Sequence, residues 1–502
     1  MGKVKVIAMY LPQFHRVQEN DEWWGEGFTE WTAVKSAIPL FKGHEQPKIP
    51  QNAQYYDLMN KEVMIQQCKL MKKYNVTGLC FYHYWFGEGK KILEKPAENL
   101  VRWKDINIPF CFCWANESWV RSWKAIYGNC NTWAPKFESD MCNQKKSDGI
   151  LLEQKYGDKK EWKEHFDYLI TFFKDNRYIY IDNKPIFLIY KPDIIDCISE
   201  MLACWNKWAI QKGLEGIYFI GANTIQRDYL DAVYWHEPQK SWRLMNFEYM
   251  ESVRFMQYDD IWNTLLNSRD EECGKTFYGG FVNYDDTPRK GYDGTVVIGA
   301  SPDKYKYYMK KLLKKSELKR NEYVFLNAWN EWGEGMYLEP DKNNRDAYLK
   351  ATKEALEEYT GEAFIYNNKL NINATAELAQ KYKMYWMILD SWLVMREKNI
   401  CISSYFKSLG IKKIVIYGIG MLGRHLIEAL RGTEIEVMYG IDRRSKGIKV
   451  EFPVCSLEDE LPEADAVIMT VVYNNDEIVK KLKEKVKMPI ISLQEIILTW
   501  KY

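Results

Sequence analysis

The stretch YVFLNAWNEWGEG, residues 323–335, decides the fold prediction for this chain. Its first seven residues form an apolar run of strand length, which predicts a buried strand over 323–329. Glu331 and Glu334 follow directly, between tryptophans and glycines. A carboxylate beside an indole loses water, so its pKa rises and it can hold a proton near neutral pH, while a better solvated neighbour stays ionised. One protonated and one ionised carboxyl group are what cleavage of a glycosidic bond requires. The alternative interpretation is that Glu331 and Glu334 are two surface glutamates on a turn.

Strand-like runs alternate with helix-like runs from this stretch back to the start of the chain. Eight strands are predicted, at Val4–Phe14, Thr77–Phe86, Ile108–Trp114, Pro185–Tyr190, Gly216–Gly221, Ala232–Trp235, Phe277–Tyr284 and Tyr323–Trp329. Most are followed by an amphipathic helix, and Ser301 is a plausible N-cap for one of them. Residues 120–158 are polar and irregular, which indicates a long loop insertion. The pattern predicts an α/β fold, a (β/α)8 TIM barrel.

Polar and aromatic side chains cluster where these strands are expected to end. Active sites of such barrels gather at the carboxyl ends of the strands. The substrate-binding candidates taken from these clusters are His15, Tyr82, His83, Tyr84, Trp85, Trp114, Asn116, Glu117, Tyr190, Asn223, Trp235, His236, Tyr284, Asn330 and Trp332. Glu117 could contact sugar hydroxyls or simply face a helix N-terminus, and Glu339 is expected to be structural.

Two features of these clusters leave alternatives open. Side chains alternate in direction along a strand, so either Tyr82 with Tyr84 or His83 with Trp85 faces the pocket, and parity alone does not choose. The first loop carries Trp24, Glu30 and Trp31. We expect its tryptophans to stack on sugars; the alternative is a loop that packs on itself.

Composition limits the classes of partner. The 502 residues carry 70 Lys+Arg and 69 Asp+Glu, so neither nucleic acid nor an anionic membrane is the expected partner. Aromatic residues make up 15% of the chain, which favours an oligo- or polysaccharide substrate. The eleven cysteines form no CxxC array, which favours reduced thiols and no metal site. We expect no signal peptide or membrane span and a cytoplasmic protein; composition leaves the oligomeric state open.

The chain changes character after residue 360. We expect a barrel over 1–360, a helical linker over 361–410, and a small doubly wound, Rossmann-like domain over 411–502. Gly418, Gly420 and Gly423 follow a predicted strand and open a predicted helix, and Asp442 lies 19 residues beyond Gly423. This pattern predicts a nucleotide or nucleotide-sugar site; the alternative is a module that kept the fold without the ligand.

Five motifs carry a family resemblance: AMYLPQFH (8–15), WGEGFTEW (24–31), FYHYWF (81–86), WANE (114–117) and NEWGEG (330–335). On these motifs, residues 1–360 resemble the WbsX-like family of polysaccharide-biosynthesis proteins, related to glycoside hydrolase family 99. Residues 411–502 resemble a small nucleotide-binding-like domain appended to glycan-biosynthesis proteins.

For the hydrolase branch the resemblance implies retaining, endo-acting cleavage without a cofactor. Glu331 would act as base on the sugar's own 2-hydroxyl, and Glu334 as general acid/base. Gly333 stands where the hydrolase branch tends to carry histidine, which puts the substrate in doubt. Three hypotheses therefore stay open: a hydrolase of bacterial surface polysaccharide such as O-antigen or capsule, a WbsX-like glycosyltransferase of lipopolysaccharide biosynthesis that uses a nucleotide-sugar, and a non-catalytic glycan-binding protein. Hydrolysis is favoured because the paired glutamates fit it.

Overall fold

A computed structural model describes residues 3–120, 150–225, 227–243, 245, 247–250, 253–268, 274–361, 372–448, 450–472 and 476–499. Most of the insertion expected over residues 120–158 lies outside these ranges. The chain divides into two compact units, one of residues 1–243 and 255–368 and the other of residues 244–254 and 369–502.

Eight parallel strands close into a barrel in the first unit, which confirms the predicted fold. They are β1 (Lys5–Tyr10), β2 (Gly78–Gly87), β3 (Phe110–Trp114), β4 (Lys184–Ile189), β5 (Tyr218–Ala222), β6 (Ala232–Tyr234), β7 (Lys275–Phe281) and β8 (Tyr323–Asn327). β1 closes the barrel, because Val6 pairs with Val324 of β8 and Ala8 pairs with Leu79 of β2. The strands are buried along most of their length because the barrel interior covers one face and helices cover the other.

Helices alternate with these strands around the barrel. They span Gln18–Trp24, Glu30–Ser36, Lys61–Lys73, Lys95–Arg102, Lys159–Phe173, Ile198–Gln211, Gln239–Trp242, Tyr258–Asn267, Thr287–Lys290, Pro302–Leu318 and Ala347–Glu358. The predicted N-cap is confirmed, since the Ser301 hydroxyl accepts a hydrogen bond from the Lys304 amide at 3.3 Å. Short strands and single turns fill the loops at Lys90–Ile92, Gln51–Ala53, Pro192–Ile194, Thr295–Ile298, Asn330–Glu331, Trp332–Glu334 and Met336–Tyr337.

The first strand is shorter than predicted. β1 ends at Tyr10 rather than at Phe14. Pro12 has no amide hydrogen for a ladder, and the Leu11 amide donates instead to the Asn330 side chain at 2.8 Å. The chain therefore leaves the barrel early and is tied to the segment that carries Glu331.

The second unit contains a five-stranded, all-parallel sheet. Its strands are β9 (Lys413–Tyr417), β10 (Glu436–Ile441), β11 (Val454–Cys455), β12 (Ala466–Met469) and β13 (Ile490–Ser492), in the order β11-β10-β9-β12-β13. Helices span Ile372–Glu397, Ser403–Ser408, Met421–Leu430, Asp476–Lys485 and Leu493–Thr499. β9 lies centrally, with chain order diverging on its two sides, and that is the point where ligands bind in open α/β sheets.

Two further properties concern the described part of the chain only. None of its helices combines the length and the apolar character that a membrane crossing requires. Its cysteines at 68, 80, 111, 113, 197, 204, 401 and 455 are free thiols.

Candidate active site at the carboxyl end of the barrel

The two candidate catalytic glutamates lie on a tight hairpin directly after β8. Glu331 pairs antiparallel with Met336, and the single turn Trp332–Glu334 connects the two short strands. Gly335 closes the hairpin with a φ of 63°, and a Cβ there would lie 2.9 Å from the Asp285 amide nitrogen. The Asn330 amide group donates to the Leu11 carbonyl at 2.9 Å. The hairpin is therefore fixed to the ends of two strands, and Asn330 has a structural contact within it.

One guanidinium group connects both glutamates with a third. Arg289, on the short helix Thr287–Lys290 after β7, donates from Nη1 to Glu334 Oε1 at 2.6 Å and from Nη2 to Glu331 Oε2 at 3.0 Å. Its Nε donates to Glu30 Oε1 at 2.7 Å. The Glu30 and Glu331 side chains are 4% and 8% exposed, and those of Arg289 and Glu334 are 23% exposed. Residues from the β1, β7 and β8 ends thus share one partly buried charge cluster.

Burial sets the protonation of this cluster. Burial raises the pKa of Glu331 to about 8. The positive charge of Arg289 lowers this pKa, and the negative charges of Glu334 and Glu30 raise it. Burial also raises the pKa of Glu334, against the attraction of Arg289 and Lys290. Burial alone would lower the pKa of Arg289, but the three carboxylates outweigh it and raise that pKa well above its ordinary value. Burial thus shifts both glutamates toward the protonated form, and Arg289 opposes that shift in each.

Gly333 makes room for this cluster. A Cβ atom built on Gly333 would lie 1.8 Å from Glu30 Oε1 and 2.8 Å from Arg289 Nε. Position 333 carries glycine where the hydrolase branch tends to carry histidine. The structure agrees with this difference, because the Glu30–Arg289 pair fills the space that a side chain at position 333 would need.

Four tyrosines lie near enough to the glutamates for the charges to interact. Burial raises the pKa of Tyr82 and of Tyr84, and the nearby charge of Glu331 raises both further. Burial also raises the pKa of Tyr190 and of Tyr284; the larger neighbouring charges are Glu117 for Tyr190 and Asp286 for Tyr284, and Glu334 adds to both. Tyr82 Oη lies 3.0 Å from His236 Nε2, whose ring packs 5.5 Å from that of Tyr190. The role of these five residues in substrate binding stays a prediction.

Of the two alternatives left open along β2, the tyrosines lie near the glutamates, whereas His83 and Trp85 pack toward the helix layer. Trp114 of β3 packs there as well. His83 Nε2 lies 2.8 Å from His165 Nε2 on the helix Lys159–Phe173, and Trp85 stacks on the same histidine at 4.4 Å. Trp114 donates its indole N–H to the Trp85 carbonyl at 3.0 Å. His83 and Trp85 face the helix layer because they alternate with Tyr82 and Tyr84 along β2. Trp114 of β3 packs 5.0 Å from the same His165 ring. Burial lowers the pKa of His83 to about 3, so this layer holds a neutral histidine.

Asn116 and Glu117 connect the ends of β3 and β4. The Asn116 side chain accepts from the Lys191 amide and donates to the Lys191 carbonyl, both at 2.8 Å. Glu117 forms an ion pair with the Lys191 ammonium group. Asn116 is therefore a structural clamp, whereas Glu117 lies close enough to Tyr190 for its charge to raise the pKa of that phenol, after the larger effect of burial.

The first loop packs partly on itself. Trp31 is buried, donates its indole N–H to the Tyr56 carbonyl at 2.8 Å, and lies 5.4 Å from the Trp332 ring. Trp332 stacks on Tyr337 at 3.8 Å and donates to Glu339 at 2.7 Å. These two tryptophans are buried packing partners, and for Trp31 this favours the alternative of a loop that packs on itself. Each indole is fixed by a hydrogen bond and neighbouring rings.

Glu339 forms the base of this packing. It accepts hydrogen bonds from Trp329, Trp332, Tyr56 and Gln67, at distances between 2.7 and 3.0 Å. Burial raises the pKa of Glu339 to about 7, although all four donors lower it. The contacts agree with the structural role expected for this carboxylate.

The other candidates occupy separate places. His15 is buried with Nδ1 2.9 Å from the Pro12 carbonyl oxygen, and it lines a cavity of about 300 Å³ beside Lys91 and Glu94. Trp24 is partly exposed and packs 6.1 Å from Phe28. The Trp235 ring lies 4.5 Å from the Lys240 ammonium group. Asn223 accepts a hydrogen bond from the His236 amide at 3.3 Å.

Arg289 is the functional candidate that the sequence analysis missed. It lies shortly after the predicted polar cluster 283–285 and next to a second cation, Lys290. The sequence did indicate that such a residue was needed, because carboxylates buried at the strand ends require a nearby cation. The sequence pattern did not indicate which of the loop cations would supply it.

The glycine loop of the second unit has the geometry of a tight turn. Gly418 has a φ of 91°, and a Cβ on Gly423 would lie 2.2 Å from the Gly418 carbonyl oxygen, so that helix and strand approach closely. A Cβ on Gly420 would meet nothing within 4 Å. Asp442 accepts from the Ile419 amide at 2.7 Å and from the Arg444 amide at 2.9 Å. Asp442 thus orders the loop, and the nucleotide site stays a prediction.

Comparison with known proteins gives one family and several relatives. The family model described as Glycosyltransferase WbsX matches residues 6–352. The uncharacterized protein WxcX of Xanthomonas campestris pv. campestris strain B100 is 31% identical over 371 residues, which cover 70% of this chain and 49% of that protein. WxcX from a second strain of the same pathovar is 30% identical over the same length. The chain thus spans about half the length of the curated relatives it matches.

Solved structures show more distant similarity. A GH99 endo-alpha-mannosidase from Bacteroides thetaiotaomicron, in complex with Bis-Tris propane, is 16% identical with a TM-score of 0.43, over 71% of this chain and 97% of that one. A glycoside hydrolase-like protein is 13% identical with the same TM-score, over 71% and 94% of the two chains. These values are too low to transfer an activity.

Proposed function

Since the chain belongs to the WbsX glycosyltransferase family, we propose that it is a glycan-active enzyme of bacterial surface polysaccharide metabolism. Within that class we propose a retaining, endo-acting glycoside hydrolase. One observation carries the proposal: Glu331 and Glu334 are hydrogen-bonded to the two terminal nitrogens of a single guanidinium, at the carboxyl end of the barrel. Two carboxyl groups held together at this end of a barrel suit acid/base cleavage of a glycosidic bond.

The proposed reaction has two steps, each of which inverts the configuration at C1. Glu331 takes the proton from the 2-hydroxyl, O2 attacks C1, and Glu334 gives its proton to the departing glycosidic oxygen. Water then attacks C1 of the 1,2-anhydro sugar while Glu334 takes a proton from the water and O2 regains its proton from Glu331. Two inversions give net retention, and both glutamates return to their starting states without a cofactor.

The environment of the pair supports these roles. A carboxyl group with a pKa of about 8 is a stronger base than an ordinary glutamate and is partly ionised near neutral pH. The raised pKa of Glu334 allows it to carry the proton that the leaving group needs. Tyr82, Tyr84, Tyr190 and Tyr284 provide ring faces and hydroxyl groups suited to a sugar.

Glycosyl transfer is the second candidate, and the description of the family favours it. In a transferase the same glutamates would activate an acceptor hydroxyl, and a nucleotide-sugar would supply the sugar.

Product analysis separates the two candidates. The purified chain is incubated with a panel of bacterial polysaccharides, with and without nucleotide-sugars, and the products are identified by mass spectrometry. We expect shorter oligosaccharides without any donor, and none from Glu331→Gln. Glu322→Gln is the matched control, because that exposed glutamate pairs with Lys275 at the opposite end of β8. Extension that occurs only with a nucleotide-sugar would replace the hydrolase by the transferase.

We retain the prediction of a nucleotide or nucleotide-sugar on the loop Gly418–Gly423. Gly420 faces open space, so Gly420→Arg would place a long side chain where a diphosphate should lie without disturbing the packed glycines. We expect UDP, GDP or NAD to bind the full-length chain in calorimetry and Gly420→Arg to abolish that binding. Gly361→Arg, also in open space, serves as the control. Undiminished nucleotide binding by Gly420→Arg, or no binding by the unaltered chain, would contradict the prediction.

A further inference from the structure

We propose that Arg289 is the positioning residue of this site: its guanidinium holds Glu331 and Glu334 side by side and, with Glu30 as its anchor, sets the charge on both. The inference rests on the proposed function only in taking these two glutamates as the reacting pair. Neither the family description nor the sequence pattern assigns a role to Arg289.

The fork shape of the guanidinium is what the three contacts require. Nε donates to Glu30 at 2.7 Å, Nη1 to Glu334 at 2.6 Å and Nη2 to Glu331 at 3.0 Å, and Nη2 also lies 2.7 Å from Glu30 Oε1. The donors of an arginine lie in one rigid plane, so the positions of the three carboxylates are fixed relative to each other. A lysine ammonium is a point charge on a flexible stem and cannot reproduce that arrangement.

Glu30 anchors this arrangement from a different part of the chain. Its backbone amide donates to the Gln13 carbonyl at 3.0 Å, and its side chain is buried. Its Oε1 atom occupies the space left by the missing Cβ of Gly333. The Glu30 carboxylate therefore holds one edge of the guanidinium, with Oε1 2.7 Å from both Nε and Nη2.

The neighbouring charges determine how the pair should titrate. The titratable groups that act on Glu331 and Glu334 are Arg289, Lys290, Glu30, Asp286, Tyr82, Tyr84, Tyr190 and Tyr284. Arg289 lowers the pKa of Glu331, whereas Glu30 raises it. Loss of Arg289 should therefore raise the pKa of Glu331, and loss of the Glu30 charge should lower it. General damage to the site would not produce these opposite shifts.

The test is a carboxyl titration that needs no substrate. Full-length protein labelled with ¹³C at the glutamate side-chain carboxyl is titrated by NMR, and the Glu331 signal is identified by its loss in Glu331→Gln. We expect Glu331 to titrate near pH 8 in the unaltered chain. In Arg289→Gln it should titrate about one pH unit or more higher, and in Glu30→Gln it should titrate lower.

Two further variants complete the design. Arg431→Gln is the matched control, because Arg431 pairs with Glu428 and Glu451 on the surface of the other unit; it should leave the Glu331 titration unchanged. Arg289→Lys keeps the charge and is used if Arg289→Gln does not fold; its Glu331 titration should still rise, by less. Identical Glu331 titration in the unaltered chain and the folded Arg289 variant, or shifts of the same sign in the Arg289 and Glu30 variants, would overturn the proposal. These outcomes do not depend on whether the enzyme is a hydrolase, so the two proposals can fail separately.

Discussion

Glu331→Gln should abolish cleavage of every substrate, whereas Glu334→Gln should spare substrates with a good leaving group. The proposed base must take the 2-hydroxyl proton whatever the leaving group is. The proposed acid is needed in proportion to the basicity of the departing oxygen, and an activated aryl glycoside departs without it. General acid or base catalysis contributes about 10²–10⁴-fold. We therefore expect Glu334→Gln to lose about that factor on natural glycans and far less on aryl glycosides.

The measurement is kcat/KM for a series of aryl glycosides and a natural oligosaccharide, with Glu322→Gln as the control. The pH profile gives a second readout, because the base must be ionised. Activity of the unaltered chain should rise with pH through about 8, the pKa to which burial raises Glu331. Equal and small losses from both substitutions would remove the catalytic assignment.

Gly333→Ala should damage the site almost as severely, although a single methyl group is added. The new Cβ would lie 1.8 Å from Glu30 Oε1 and 2.8 Å from Arg289 Nε, so one of these groups must move. Overpacking of this kind costs about 1–3 kcal/mol of stability. If Glu30 is displaced, Arg289 loses its anchor, and we expect activity to fall by about 100-fold because a small misplacement of reacting groups costs that much.

Thermal unfolding and kcat/KM are measured together for this variant. Gly361→Ala is the control, because a Cβ there would meet nothing within 4 Å. The double variant Gly333→Ala with Glu30→Ala should recover stability, since truncation of Glu30 frees the space, but it should not recover full activity. Unchanged stability and activity in Gly333→Ala would show that the glycine is not needed to accommodate Glu30 and Arg289.

The barrel could be predicted because its strands carry their own signal. Each is buried on both faces and so forms a short apolar run that stands out from the amphipathic helices. The ends of the strands were harder to predict than their existence. In β1, Pro12 and the Asn330 side chain end the strand before Phe14. The side-chain choice along β2 was also open, because alternation defines two faces without saying which one faces the pocket.

The eight-stranded barrel, the parallel sheet of the second unit and the position of Glu331 and Glu334 after the last barrel strand were predictable from the amino-acid sequence. These features depend on apolar runs and on residues adjacent in the chain. Folding was needed to show that Tyr82 and Tyr84 lie near the pair while His83 packs on the helix layer. It was needed also to show that Arg289 joins Glu30, Glu331 and Glu334. A buried charge finds its partners across the ends of three separate strands, and local sequence patterns do not encode distances between residues so far apart in the chain.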